Sequence, residues 1–136
     1  MTREIILTPK TRKISGAHSL DCFGDGHPCA RKHGHTWWVR ATFSGVPDSN
    51  GVLIGYEVVG EVTAEFDHYD LDEVMAPQKS TGENILLRLV DRFEAKCDDQ
   101  GPHVWVVRVQ LSEDPIPGDA HTLTWTRRGW ELRDLS

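Results

Sequence analysis

Cys29-Ala-Arg-Lys-His33-Gly-His35 runs directly into Thr36-Trp-Trp-Val-Arg-Ala-Thr-Phe43, a segment that alternates as a strand does. In an extended strand residues two apart point to the same face, so His33 and His35 can offer their imidazoles side by side to one metal ion. A third imidazole, His18, ends the strand-like segment Ile14-Ser-Gly-Ala-His18 and would complete a three-histidine zinc site. Three neutral ligands leave a fourth position for water or substrate, the catalytic rather than the structural pattern. By spacing alone, His33 and His35 read equally well as ordinary strand histidines with Gly34 as a bulge. Cys29, four residues before His33, is close enough in sequence to sit beside the metal without ligating it. A free cysteine is commonly a small buried hydrophobe. A loop position near Lys13, Arg31, Lys32 and a metal favours a reactive thiolate instead.

The elements that must position these groups follow from periodicity. Residues 4–18 and 35–43 read as antiparallel strands, the second with Trp37, Val39, Ala41 and Phe43 on one face and Thr36, Trp38, Arg40 and Thr42 on the other. Between them, residues 19–32 are a Gly-, Asp- and Pro-rich loop, and Pro47-Asp-Ser-Asn-Gly51 is a further loop signal. Tyr56, Val59, Val62 and Phe66 then recur at helical spacing, with Gly60 and the β-branched valines working against the helix. A second helix opens on Ser80-Thr-Gly-Glu83, a capping-box pattern, and carries the stripe Ile85, Leu86, Leu89, Val90 and Phe93. Gln100-Gly-Pro102 breaks it, His103–Leu111 alternates as a third strand, Asp114–Asp119 is a turn, and His121–Thr126 is a fourth strand. The sum is an α+β architecture, a four-stranded antiparallel sheet with two helices on one face in the order ββααββ. Tryptophans in the strands place aromatic surface on both sides of the sheet, which self-association would bury.

Composition sets outer limits. The 136 residues, 38% of them hydrophobic, fit one domain spanning 1–136. No apolar run reaches membrane-spanning length and the N-terminus lacks a signal-peptide pattern, so the expected location is cytoplasmic, with no membrane partner. Three cysteines without scaffold-like spacing read as reduced thiols, with Cys22 and Cys97 structural or incidental. A net charge of −6 argues against nucleic acid as a partner, yet leaves room for an anionic small molecule drawn by local positive charge. Without a Gly-rich dinucleotide fingerprint or phosphate loop, no nucleotide, nicotinamide or flavin cofactor is expected.

Gly16-Ala-His18, Cys29-x-x-x-His33-Gly-His35, Asp67-His68-Tyr-Asp-Leu71, Thr81-Gly-Glu83-Asn84 and Glu113, in this order, resemble the 6-pyruvoyltetrahydropterin synthase / 6-carboxytetrahydropterin synthase family. The resemblance runs from His18 to Glu113. It implies the tunnelling fold, in which subunits join edge to edge into barrels, commonly a hexamer built as a dimer of trimers with active sites at subunit interfaces. It also implies one zinc per subunit on His18, His33 and His35, Cys29 as the proton-transferring thiol, and Asp67 with His68 as its proton-shuttling partners. A carboxylate beside an imidazole can orient and charge-stabilise it; on spacing alone the pair reads as a helix-terminal polar pair. Glu113 would anchor a pterin through its 2-amino group and ring N–H. Thr81 and Glu83 match a pocket-lining segment, although their capping role needs no ligand. The chain departs from the family pattern at Ile54-Gly55-Tyr56, which lacks an acid, at Lys79-Ser80, which lacks a proline, and at the bulky Trp37-Trp38.

The implied reaction converts 7,8-dihydroneopterin triphosphate to 6-carboxy-5,6,7,8-tetrahydropterin with release of acetaldehyde and triphosphate, a step towards 7-deazapurines such as queuosine. The compact length and the tight Cys-x-x-x-His-Gly-His spacing resemble that carboxy branch. The alternative of the same class is a pyruvoyl synthase, which eliminates triphosphate and leaves two ketones. From another class, the alternative is a non-catalytic zinc-containing pterin-binding oligomer, with Gly55 as its sequence support.

Overall fold

The computed structural model describes residues 3–113, 115–116 and 121–131. Strands β1 (Ile5–Leu7) and β2 (Arg12–His18) both pair antiparallel with the long strand β3 (His33–Gly45), β1 along Phe43–Gly45 and β2 along His33–Val39. The one strand expected over residues 4–18 is thus broken at residues 8–11, where Pro9 has no N–H to give to a ladder. Strand β4 (Val104–Ser112) lies on the other side of β3, and β5 (Thr122–Thr126) pairs with β4. The sheet is antiparallel as expected, with five strands among the described residues rather than four because the first is in two pieces. The turn expected at 114–119 falls mostly outside the described residues.

Among the described residues three α-helices accompany the sheet instead of two. Helix α1 (Val58–Thr63) is shorter than the stripe from Tyr56 to Phe66 suggested; it stops at Thr63, whose hydroxyl turns back to the Val59 carbonyl at 2.9 Å. Tyr56 precedes the helix and is 74% exposed, so it is no part of the core stripe. Helix α2 (Leu71–Met75) was not expected: the Asp70 side chain caps it by accepting the Asp72 N–H, and Pro77 follows its end. Helix α3 (Gly82–Gln100) buries Ile85, Leu86, Leu89, Val90 and Phe93 as its pattern predicts, and adds Cys97. Its cap sits one residue later than expected. Thr81, not Ser80, accepts the Asn84 N–H, which leaves Glu83 out of a reciprocal box.

The buried stripe of α3 forms one core with Ile14 of β2, Trp37, Val39, Ala41 and Phe43 of β3, and Val104, Val106, Val109 and Leu111 of β4. Spacing within β4 changes from two to three between Val106 and Val109 because the ladder skips Val107: Thr42 faces Arg108 while Phe43 faces Val106. This bulge keeps apolar side chains on the helix side along the whole strand. At the far end β3 and the start of β4 come too close for a side chain. A Cβ on Gly45 would lie 1.9 Å from the His103 carbonyl oxygen. Gly45→Ala should therefore lower stability by about 3 kcal/mol in urea unfolding. Gly34→Ala, with its nearest atom 3.8 Å away, should change it by less than about 0.5 kcal/mol.

Candidate metal centre and active site

The β2–β3 register sets His18 directly opposite His33 and Gly16 opposite His35. Opposed residues share a face, and so do residues two apart, so all three imidazoles project from the face that carries Trp37 and Val39. Ring centroids lie 4.5 Å (His18–His33), 5.2 Å (His18–His35) and 4.8 Å (His33–His35) apart. One nitrogen from each falls within 4.8 Å of the others, a cluster able to hold a metal ion.

Hydrogen bonds fix how the rings present themselves. His18 Nδ1 is 2.7 Å from the Ser80 carbonyl and His33 Nδ1 is 2.7 Å from the Arg31 carbonyl. A carbonyl only accepts, so in each ring Nδ1 carries the proton and Nε2 keeps a bare lone pair. His18 is 4% exposed, and its Nε2 is buried with no hydrogen-bond partner among the described residues. A buried polar atom left unsatisfied is costly; a metal ion would remove that cost, and three imidazoles are the donor set that zinc takes. Burial lowers the His18 pKa from its usual value near 6.5, against the Ser80 bond, and neighbouring His33 and His35 lower it further, so the ring stays in the ligating neutral form. His35 Nδ1 faces Glu113 Oε1 at 3.8 Å.

Cys29 joins this group from the loop. Its half-buried segment forms a single tight turn, Pro28–Ala30, with His27 Nδ1 accepting the Cys29 N–H at 3.1 Å. The Leu20 N–H, two residues beyond His18, bonds the Cys29 carbonyl at 2.7 Å and so ties the thiol loop to the end of β2. A cavity of about 510 Å³ is lined by His18, His33, His35, Cys29, Glu83 and Glu113, with His121 and the apolar Trp37 among the other walls. His121 carries no motif and sequence reasoning missed it; it reaches the cavity because Glu113, whose N–H bonds the His121 carbonyl at 3.3 Å, leads out of β4 opposite the entry to β5. Thr81 does not line the cavity, its hydroxyl being engaged in the α3 cap.

Asp67 and His68 do not line it either. They lie in the turns after α1 and cover the outer edge of β2 at Ser15: Asp67 Oδ1 accepts the Ser15 N–H and the His68 N–H donates to the Ser15 carbonyl, both at 2.7 Å. His68 holds a φ of 65°, sparsely populated for any residue but glycine, and its side chain is 83% exposed. Asp67 Oδ2 remains 3.6 Å from His68 Nε2. Cys97, by contrast, is on the buried face of α3 with its thiol pushed up to about 12 by desolvation, and Cys22 is exposed outside the cavity.

The sequence model described as 6-pyruvoyl tetrahydropterin synthase matches residues 8–118. The chain belongs to this family. No curated protein sequence matches it. Among solved structures, 6-pyruvoyl tetrahydropterin synthase of Caenorhabditis elegans is similar over 93% of this chain and 97% of its own, at 18% identity and a TM-score of 0.68. An uncharacterised protein of Wolinella succinogenes aligns over 92% and 99%, at 12% identity and a TM-score of 0.62. The Plasmodium vivax synthase aligns over 92% and 99%, at 14% identity and a TM-score of 0.54. The likeness at these identities is one of fold, and the sheet and helices described above are the tunnelling fold of the pterin synthases.

The neutral, buried state of His18 has a measurable consequence. As pH falls through the ordinary histidine value near 6.5, the unfolded chain takes up a proton that folded His18 refuses, so stability drops with falling pH. Metal-free protein should lose stability between about pH 7 and pH 5, and urea titrations of His18→Gln should show a shallower dependence across that window.

Proposed function

We propose that the chain is a single-domain zinc-dependent lyase that converts 7,8-dihydroneopterin triphosphate to 6-carboxy-5,6,7,8-tetrahydropterin, releasing acetaldehyde and triphosphate, on the route to 7-deazapurines. One observation carries this reading: a single cavity gathers the three-histidine cluster, the Cys29 thiol and the Glu113 carboxylate. The carboxy product, rather than the pyruvoyl one, rests on the compact chain and the Cys-x-x-x-His-Gly-His spacing.

In this reading His18, His33 and His35 hold zinc through bare nitrogens, Nε2 in His18 and His33, whose ring partners are the Ser80 and Arg31 carbonyls. Zinc there would polarise the side-chain hydroxyls of the substrate. Glu113, in the cavity wall, accepts two hydrogen bonds from the pterin 2-amino group and ring N–H, and Glu83 lines the same cavity. Cys29, also in the wall, takes and returns the protons of the side-chain carbons. The reducing equivalents are internal to the substrate, which is why no nucleotide or flavin cofactor is called for.

Asp67 and His68 do not line their own cavity, and the His68 imidazole is exposed at the outer edge of β2. They therefore serve the cavity of a neighbouring copy, which makes the active form a homo-oligomer, a hexamer of paired trimers in this reading. Among the described residues no helix is long and apolar enough to cross a membrane, and we assign the enzyme to the cytoplasm.

Incubation of zinc-loaded protein with dihydroneopterin triphosphate should yield acetaldehyde and the 6-carboxy product by chromatography. A 6-pyruvoyl product would reassign the branch, and pterin binding without turnover would make the chain a binding module. Cys29→Ala should keep zinc and lose about 10²-fold or more in kcat, the scale of a positioned acid–base group, while Cys22→Ala and Cys97→Ala stay near wild type.

A further inference from the structure

Asp72, in the first turn of α2, lies outside the cavity, and neither motif nor mechanism has given it a part. Its carboxylate is nevertheless the most heavily bonded in the structure. Oδ1 accepts the Ser19 N–H at 3.0 Å and the Ser80 hydroxyl; Oδ2 accepts the Ser19 hydroxyl at 2.6 Å and lies 2.9 Å from Lys32 Nζ. Each of these partners adjoins the histidine cluster. Ser19 follows His18, Lys32 precedes His33, and Ser80 supplies the carbonyl that receives His18 Nδ1–H.

We propose that Asp72 is the positioning residue of the three-histidine site: one carboxylate holds the backbone N–H that follows His18, shares with Asp70 the Lys32 ammonium that precedes His33, and holds the hydroxyl of Ser80, whose carbonyl sets the tautomer of the most buried ligand. The inference rests on the metal reading above and deepens it. The end of β2, the start of β3 and the loop before α3 meet at this corner, and Asp72 is bonded to all three at once. Ser80 is 2% exposed, and without Asp72 its hydroxyl would be left with only the longer bond to the Ser19 carbonyl at 3.5 Å among the described residues. The loop would then reorient and take its carbonyl off His18, freeing the imidazole to move its proton to Nε2, the nitrogen that must stay bare. Burial opposes the charged form of Asp72, but the bonds from Ser19, Ser80 and Lys32 outweigh it and hold the carboxyl well below the usual carboxylate range.

Two readouts test this, and one needs no metal. In ¹⁵N-labelled metal-free protein, the imidazole nitrogens of His18 should report the Nδ1–H tautomer in wild type and a mixture or its reverse in Asp72→Ala. Competition with a chromophoric chelator should show zinc bound 10- to 100-fold more weakly by Asp72→Ala, the usual effect of losing an outer-shell partner, with Asp72→Asn between the two. Asp48→Ala is the control: that carboxylate accepts two backbone N–H groups, from Asn50 and Val52, but in a remote turn, so its loss should leave tautomer and affinity unchanged. Should Asp72→Ala not fold, Ser80→Ala removes the hydroxyl link alone, keeps the carbonyl, and is expected to shift both readouts in the same direction. A wild-type tautomer and wild-type zinc affinity in these variants would overturn the proposal. If wild type itself takes up no zinc, the metal reading fails instead, and the tautomer comparison still decides what Asp72 does.

Discussion

Pairing of β2 with β3 in the register that sets His18 opposite His33 governs the rest of the site, because side chains in a strand alternate with a period of two. A slip of one residue would turn His18 to the far face and bring Ala17 or Ser19 to the histidines. The register is held by what surrounds it. Ile14 and Trp37, opposed in the same ladder, are buried under the helices and must share that face with the histidines. Hydrophobic burial at one end of the ladder thus aligns the polar cluster at the other, and the chemistry inherits the precision of the core.

The cluster is also a place where the fold tolerates an unfavourable arrangement. Three imidazoles converge at ring separations of about 5 Å, one of them almost wholly buried with an unpaired nitrogen. The rings meet edge to face, and the carbonyls of Arg31 and Ser80 and the network around Asp72 hold them in that geometry. The arrangement suits a centre assembled before its ion arrives, since the rings have little ordering entropy left to lose on binding.

Much of this was legible in the sequence where a simple period governs. Alternation exposed the inward face of β3, the helical stripe exposed α3, and the two-residue step between His33 and His35 exposed the shared face. Legibility failed where the outcome depended on contacts between distant segments. Both Ser80 and Thr81 are good caps, and only the reach of Ser80 to Asp72 decides that Thr81 takes the role. Helix α2 had its cap and its closing proline in view, but with five residues it has too few for a periodic stripe. The Asp67-His68 pair read as lying at the end of a helix; its position on the outer edge of β2 depends on turns after α1 that fold back to Ser15, and no local pattern encodes that return.

That return has a topological consequence. A β-sheet edge is a row of unspent donors and acceptors, and an incoming strand recognises little else. At Ser15 both groups are already spent, on the Asp67 carboxylate and the His68 amide, and at Ala17 the chain bridges to Asp70 in parallel. This stretch of the sheet is therefore sealed from within the subunit. A strand arriving from outside would find no open pairing groups at Ser15, so the seal leaves edge-to-edge contact to other stretches of the perimeter.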